Sequence, residues 1–258
     1  MNTIQIPSNR LIKKFARQMF KGHWFEAFLV VAISSILTSV PMELINLFAP
    51  TSKLLAFIGE IYMLLMFGPL NLGVSYYFLS TFRGEKLAFN AISKGFDNFS
   101  KAVLLYVLST LKIMLWSFLF VIPGILAAIR YSQAFFIMAD NPEKGANQCI
   151  EESKALMKVY GGRYVLLVLG YAGWFLLSGL PTAIITQSTI DVTLFANYSF
   201  QNISDLLFDV ARNPWFFVSD ITKILFDVYF YMGTVCFFDI ITGNLVFSTK
   251  TEEQATDL

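Results

Sequence analysis

The sequence predicts an all-α, polytopic membrane protein with about six membrane-spanning helices arranged as hairpins. Its apolar residues come in blocks of bilayer length, and a spanning helix takes about 20 mostly apolar residues. The composition is 56% hydrophobic and only 14% charged, whereas a soluble domain carries roughly 25% charged residues. Three of the apolar blocks also follow an amphipathic stretch with basic or mixed charges. We therefore expect residues 1–258 to form a single integral membrane domain.

The predicted spans follow the apolar blocks in chain order. The fourth block is short, so its helix is either tilted or re-entrant. Before it, Pro123-Gly124 predicts the tip of a hairpin, because proline removes a helical donor and glycine permits a tight reversal. The six spans are Trp24–Val40, Leu54–Phe82, Ala102–Ile122, Ile125–Ala139, Tyr164–Ile185 and roughly Ile221–Phe247.

The distribution of basic residues predicts the orientation of the spans. With six spans, most Lys and Arg residues fall on the side that holds both termini, against Lys53 and Arg212 on the other side. Cytoplasmic segments of membrane proteins carry an excess of positive charge. Both termini are therefore predicted to lie in the cytoplasm.

Three amphipathic stretches, residues 10–22, 86–99 and 142–160, are predicted to form helices at the cytoplasmic interface. In the first, basic residues share one helical face and apolar residues cover the other, which is typical of a helix lying on anionic headgroups. In the third, Asn141 is a candidate N-cap and Pro142 a candidate first-turn residue. The lipid-facing basic residues of the first stretch are Arg10, Lys14, Arg17 and Lys21.

The three amphipathic stretches also raise the question of an internal repeat. Each precedes a pair of spans, and a proline falls near the far end of each outgoing span, at Pro41, Pro123 and Pro181. Some transporters are built from such parallel repeats. The alternative is that every hairpin needs a cytoplasmic anchor, which would produce the same pattern without a repeat. The sequence leaves both interpretations open.

Charged residues inside the predicted spans are the candidate functional residues. A charge at the bilayer centre costs about 2.5–3.5 kcal/mol on insertion scales, so such residues usually face partners or water. We expect two acid–base clusters, one in the outer half and one nearer the middle and inner half. Three interpretations stay open: ion pairs that fix helix packing, a polar path for an ion, lipid headgroup or peptide, and snorkelling side chains. The outer group is Glu60, Arg130 and Asp227, and the inner group is Lys112 and Asp239.

The sequence offers no signature of catalysis, metal binding or nucleic-acid binding. His23 is the single histidine, which excludes His-based triads and metal clusters, and beside Trp24 it is interpreted as an interfacial anchor. Asp227 and Asp239 lie about three turns apart on one predicted helix, too far to share a proton. The net charge of +1 argues against a nucleic-acid partner. We expect a protein that is not an enzyme and has no cofactor.

Residues 186–220 are predicted to form the sizeable extracytoplasmic loop. Its stretch Phe195–Trp215 is too apolar and aromatic for a simple linker. We expect this stretch to lie on the outer leaflet as a short helix.

Several short motifs resemble a known family. The central motif runs from Leu115 to Leu126. It is followed by Tyr131-Ser132, by Ala139-Asp140-Asn141-Pro142 and by the segment from Glu152 to Lys158. They resemble the bacterial integral membrane proteins classed as domain of unknown function 975. Further matches are Gly68-Pro69-Leu70, Phe82-Arg83-Gly84-Glu85, Gly95-Phe96 and Phe237-Phe238-Asp239. The motif positions with the most specific likeness are Trp116, Pro123, Gly124, Tyr131, Asp140, Asn141 and Pro142.

The resemblance implies a multi-helix protein of the bacterial cytoplasmic membrane without an established activity. It also implies a distant similarity to the membrane domain attached to some glycerophosphodiester phosphodiesterases. After Trp174 the chain departs from the family pattern, because Ser178-Gly-Leu-Pro and the following loop replace the usual glycine-rich span. The role of the C-terminal third therefore does not follow from the resemblance.

Two functions are consistent with these observations. The first is a non-enzymatic accessory or protective component that interacts with membrane lipids, a membrane-active peptide or an export complex. Its partners would be lipids and another membrane protein, such as an ABC-type exporter. The second is a small transporter or permease whose route is lined by the five intramembrane charges.

Overall fold

The computed structural model describes residues 6–48, 51–85, 90–177 and 214–245. In these residues the regular structure is entirely helical, which confirms the predicted all-α class. A further helical stretch covers residues 172–177. The helices are α1 (Asn9–Met19), α2 (Trp24–Phe48), α3 (Lys53–Phe82), α4 (Asn90–Asp97), α5 (Phe99–Leu119), α6 (Val121–Tyr131), α7 (Ala134–Asp140), α8 (Ala146–Leu169) and α9 (Pro214–Ile241).

Five described segments are long and apolar enough to cross a membrane, so the fold is that of a polytopic membrane protein. The predicted span Tyr164–Ile185 is described only to residue 177, and its remainder lies outside the described residues. Most of the predicted loop 186–220, including Phe195–Arg212, also lies outside them. The five segments are Trp24–Met42, Lys53–Phe82, Phe99–Leu119, Val121–Asp140 and Asp220–Ile241.

The end of the predicted loop is helical, which corrects one boundary. Helix α9 begins at Pro214, seven residues before the predicted start of the last span. Proline suits the first position of a helix because its missing N–H would have no partner there. The helix ends at Ile241, and Gly243 follows with a φ of 80°.

The reversal before the fourth predicted span lies earlier than Pro123-Gly124. Helix α5 ends at Leu119, Phe120 is extended with φ −160° and ψ 151°, and α6 begins at Val121. Pro123 therefore occupies the first turn of α6, where proline costs no hydrogen bond. Gly124 lets the two helices touch, since a Cβ there would lie 2.8 Å from the Ser117 Cα. The predicted hairpin is present, but its tip is Phe120.

The first amphipathic helix packs against protein with its apolar face. The Ser8 hydroxyl caps α1 by accepting a hydrogen bond from the Leu11 N–H. Ile12 and Ala16 are buried in α1, and Phe20 just beyond it contacts the Phe78 ring at 5.4 Å. The predicted basic face remains at the surface, where Arg10, Arg17 and Lys21 are exposed.

The third amphipathic stretch differs from its prediction at both ends. Gly145, not Asn141, precedes the helix, and its N–H donates to the Gln148 side chain at 3.0 Å. The helix then continues through Gly161-Gly162 to Leu169, so no junction separates the amphipathic part from the span. Glycine inside a helix costs roughly 1 kcal/mol relative to alanine, which the packing of a long helix tolerates.

The long helices divide the bundle into two halves. Helix α3 has 30 residues and is therefore about 45 Å long at 1.5 Å per residue, more than the hydrocarbon core of about 30 Å. From Gly68 to Phe82 its residues are almost all buried, whereas from Leu54 to Phe67 most are exposed and apolar. We call the buried part the packed half and the other part the exposed half.

The neighbouring spans show the same division at the same level. Helix α2 runs antiparallel to α3, since the Tyr62 hydroxyl donates to the Leu37 carbonyl and the Tyr77 hydroxyl to the His23 carbonyl. Its residues Ala27 and Val30–Ala32 are buried, and later residues, such as Ile36, are exposed. Helix α9 runs parallel to α3 and becomes buried from Val228 onward. The exposed half therefore presents apolar side chains of three helices.

The second amphipathic stretch supplies a helix that docks tightly on the packed half. Residues 86–89 lie outside the described residues, and α4 follows at Asn90. A Cβ at Gly95 would lie 2.6 Å from the Gly73 nitrogen and closer still to the Pro69 carbonyl oxygen. Both neighbours are backbone atoms, which cannot move aside as a side chain can. The α3–α4 contact therefore requires glycine at position 95.

Gly95→Ala should lower the unfolding temperature in detergent, because overpacking a tight contact typically costs 1–3 kcal/mol. Gly162→Ala is the matched control: a Cβ there meets nothing within 4 Å, and alanine favours the helix by up to about 1 kcal/mol. Thermal unfolding of both variants checks the prediction. Equal unfolding temperatures would contradict the backbone contact.

Candidate functional site

Polar groups gather in two places that helix packing creates. One is a charge cluster, Arg83, Asp140 and Asp239, at the ends of α3, α7 and α9. The other is a cavity between α2, α3 and α9, at the border between the packed half and the exposed half. The two sites share α3 and α9, so the position of these helices determines both.

In the charge cluster, one guanidinium bridges two carboxylates. Arg83 follows the last residue of α3, and its Nη2 donates to Asp239 Oδ1 at 2.7 Å. Its Nε lies 3.3 Å from both Asp239 oxygens, and its Nη1 donates to Asp140. The Asp239 side chain is only 4% exposed, against 22% for Asp140. Asp239 is therefore the member of the cluster that most needs its partner.

The carboxylates stabilise the charged form of Arg83. Partial burial by itself would lower the pKa of the guanidinium, but hydrogen bonds and charges from Asp239 and Asp140 raise this pKa above its ordinary value. A buried carboxylate without a counter-charge is strongly unfavourable. The two salt bridges of Arg83 therefore join the ends of three helices.

The cluster unites three of the motifs that resemble the family. Arg83 comes from Phe82-Arg83-Gly84-Glu85, Asp140 from Ala139-Asp140-Asn141-Pro142, and Asp239 from Phe237-Phe238-Asp239. Sequence reasoning missed the role of Arg83 because it placed this residue among the cytoplasmic charges. The signal that could have found it is its position: Arg83 is the first basic residue after a span, so its long side chain can reach a buried acid nearby.

The five predicted intramembrane charges do not form the two expected clusters. Among the described ion pairs, none joins two of these five residues, and Asp239 pairs with Arg83 instead. Glu60 and Arg130 are exposed and Lys112 is half-buried. The prediction was wrong because hydropathy gives the depth of each helix in the bilayer only coarsely. In the structure Arg83, which lies outside the predicted spans, is the residue beside Asp239.

The basic residues of α1 have mixed surroundings. Arg17 is not simply lipid-facing, since its Nη2 donates to the Tyr229 hydroxyl at 3.0 Å and its guanidinium lies over that ring. Lys13, which was not predicted, donates to the Gly170 carbonyl, and its ammonium lies 4.0 Å from the centre of the Tyr171 ring. Burial lowers the pKa of Lys13. These contacts anchor α1 to α9 and to the end of α8.

The remaining motif residues lie away from the cavity. Trp116 is exposed on α5, Tyr131 is half-buried at the end of α6, and Asn141 follows α7. The Pro142 carbonyl accepts a hydrogen bond from Lys101 Nζ at 2.7 Å, which joins this loop to α5. None of these residues lines the cavity.

The cavity has a volume of about 170 Å³ and a mixed lining. Helix α2 contributes hydroxyl groups, α3 contributes the Asn71 amide, and α9 contributes a carboxylate and a phenol. Apolar side chains, among them Leu70 and Val74, complete the wall. Of the predicted charges, only Asp227 lies here. The polar lining residues are Ser34, Ser35, Thr38, Asn71, Asp227 and Tyr231.

Most hydrogen-bond donors of the cavity are already used within the protein. The Ser34 hydroxyl donates to the Val30 carbonyl at 2.9 Å, and the Thr38 hydroxyl lies 2.9 Å from the Ser34 carbonyl. The Tyr231 hydroxyl donates to Asn71 Oδ1 at 2.9 Å, and Asn71 Nδ2 donates to the Phe67 carbonyl at 3.2 Å. The cavity therefore offers mainly acceptors.

Metal-site geometry is not found in the described part of the chain. No three His, Cys, Asp or Glu side chains gather there as ligands of one ion. His23 instead lies 3.2 Å from the Glu26 carboxylate at the partly exposed start of α2.

Comparison with known proteins confirms the family resemblance. Residues 119–244 of the chain match the family model described as protein of unknown function (DUF975). This region contains Asp140 and Asp239 of the charge cluster and Asp227 and Tyr231 of the cavity, while Arg83 lies outside it. No curated protein and no solved structure matches the chain.

Arg83→Met should destabilise the protein by about 3–5 kcal/mol, because it leaves the buried Asp239 carboxylate without its counter-charge. The double variant Arg83→Met/Asp239→Leu should recover most of this loss, since neither buried charge remains. Thermal unfolding in detergent measures both effects.

Lys154→Met is the control for this pair of variants. Lys154 pairs with Glu151 at 3.1 Å, but both side chains are about half exposed, and such surface pairs contribute at most about 1 kcal/mol. A double variant as unstable as Arg83→Met alone would show that the cluster does more than neutralise a buried charge.

Proposed function

We propose that this is a non-enzymatic integral membrane protein that binds an amphiphile, namely a lipid or a membrane-active peptide. The polar head of the ligand would occupy the cavity between α2, α3 and α9, and its apolar part would lie along the exposed half. The observation that carries this proposal is the position of the cavity, which opens a polar recess at the border of an apolar surface.

The side chains around the cavity fit a ligand with two kinds of surface. Asn71 and Asp227 provide polar contacts inside it. Beyond it, Ile36 on α2 and Ile221 and Leu225 on α9 are exposed and apolar. A polar molecule would satisfy only the recess, and a hydrocarbon only the surface. An amphiphile satisfies both.

The charge of α1 supports a location at the inner leaflet of a bacterial cytoplasmic membrane. The helix carries four basic residues, Lys21 follows it, and the first acidic residue after them is Glu26. Basic segments beside spans are attracted to anionic headgroups and are typical of cytoplasmic faces. This supports membrane lipids as partners, with Arg10, Lys14 and Lys21 among the contacting residues.

Ser34→Leu tests the proposal because it places an apolar side chain at the wall of the cavity. We expect the purified full chain to retain lipid in native mass spectrometry after extraction in mild detergent, and Ser34→Leu to retain markedly less. Ser39→Leu on the same helix is the control, since Ser39 is exposed and does not line the cavity.

Equal lipid retention by Ser34→Leu and Ser39→Leu would overturn the cavity as the binding site. The same spectra also reveal a protein that co-purifies. A reproducible membrane-protein partner, such as an ABC-type exporter, would support the accessory role in an export complex.

A small transporter is the second candidate, and the location of Asp227 favours it. This carboxylate lies inside a predicted span and faces a cavity, as in many ion and proton pathways. In proteoliposomes with a trapped pH dye and an imposed membrane potential, a transporter should produce a proton flux that Asp227→Asn abolishes. A binding protein should produce no flux above that of empty liposomes.

A further inference from the structure

We infer that the cavity selects a primary ammonium group, the head of an aminolipid or a lysine side chain of a peptide. This inference rests on the proposed function and names the chemical class of its ligand. It follows from the balance of donors, acceptors and charge among the groups that line the cavity.

Two of the three α2 hydroxyls in the lining, those of Ser34 and Thr38, can only accept from a ligand. A serine or threonine hydroxyl has one proton and two acceptor lone pairs. Ser34 gives its proton to the Val30 carbonyl, and Thr38 gives its proton to the carbonyls one turn earlier. The lone pairs that remain on these oxygens favour a ligand that donates hydrogen bonds.

The same holds on the opposite wall. The Tyr231 proton is used in the bond to Asn71 Oδ1, so the phenol oxygen remains as an acceptor. Asn71 keeps one N–H after its bond to the Phe67 carbonyl. The Ser35 hydroxyl and this Asn71 N–H can still donate, but acceptors outnumber them among the described lining residues. This balance disfavours a phosphate or carboxylate head.

The charge of the cavity also favours a cationic ligand. Among the described residues of the lining, Asp227 is the only charged one, and those from α2 and α3 include no basic residue. The described ion pairs do not include Asp227. Lys223, one turn earlier on α9, is exposed and lies outside the lining. A cationic ligand would supply the counter-charge.

Among cationic heads, the primary ammonium fits best. It is compact and carries three donors, which can pair with the Asp227 carboxylate and with two hydroxyl or phenol oxygens. A quaternary ammonium has the same charge but no donor, so it would leave these acceptors unpaired. The pair of ammonium types therefore separates hydrogen bonding from charge.

The experiment compares phosphatidylethanolamine with phosphatidylcholine of the same acyl chains. The purified full chain is exposed to nanodiscs that contain equal parts of the two lipids, and retained lipid is counted by native mass spectrometry. We expect phosphatidylethanolamine to be favoured roughly tenfold, the effect of one hydrogen bond to a charged group. The comparison uses the unmodified protein and does not depend on a variant folding.

Two variants assign the preference to the cavity. Asp227→Asn keeps the size of the side chain and one acceptor oxygen but removes the charge. The charge-assisted hydrogen bond to the ammonium is then lost, so the preference for phosphatidylethanolamine should fall severalfold. Asp220→Asn is the control, because Asp220 is exposed on the same helix and does not line the cavity. A preference that Asp227→Asn leaves unchanged would overturn the inference.

A peptide arm distinguishes the two sources of the ammonium group. A lysine-containing amphipathic peptide is compared with its trimethyl-lysine form as a competitor for retained lipid. Stronger competition by the unmethylated peptide supports a peptide ligand, and its absence together with the lipid preference supports an aminolipid. Equal competition by both forms and no lipid preference would overturn the ammonium inference.

The failure of this inference differs from the failure of the proposed function. If both lipids bind equally and Ser34→Leu removes both, the cavity binds amphiphiles without selecting ammonium. If Ser34→Leu changes the retention of neither lipid, the cavity is not the binding site.

Discussion

The burial of Asp239 is the constraint on which the packed half depends. A carboxylate taken out of water needs a counter-charge, and Arg83 supplies it from the end of a different span, 156 residues away in sequence. The same guanidinium binds Asp140, 57 residues away, so three helix ends meet at one cation. With α3 and α9 held parallel in this way, their side chains face each other along the bundle, from Arg83–Asp239 down to Asn71–Tyr231.

The cavity is a consequence of that alignment. Near the charge cluster, large rings such as Phe78 and Tyr231, which stack at 5.1 Å, fill the space between α3 and α9. Farther along, α2 presents small hydroxyl residues where larger side chains would be needed to close the gap. The result is a polar recess beside the exposed half, which supports a role in holding the head of an amphiphile.

The glycine contacts explain why only one half of the bundle is well packed. Gly68 and Gly73 on α3 let α5 and α4 approach to backbone distance, and Gly95 does the same from α4. Among the described helices, no comparable set covers α3 from Leu54 to Phe67, where most side chains are apolar and exposed. Lipid is the environment in which such a surface is stable.

The sequence by itself determined the helical class, the hairpins and most span positions, because the hydrophobic content of about 20 residues is a local property. It also pointed to the residues that matter, since Asp227, Asp239 and Asp140 all stood out as buried charges or motif positions. Only the tertiary structure decided their partners. Helices far apart in the chain must lie at the right depth relative to one another before it is decided whether Asp239 meets Lys112 or Arg83. The same relative depth decides whether Asp227 faces a helix or a cavity. Small shifts, such as the hairpin tip at Phe120, change this depth.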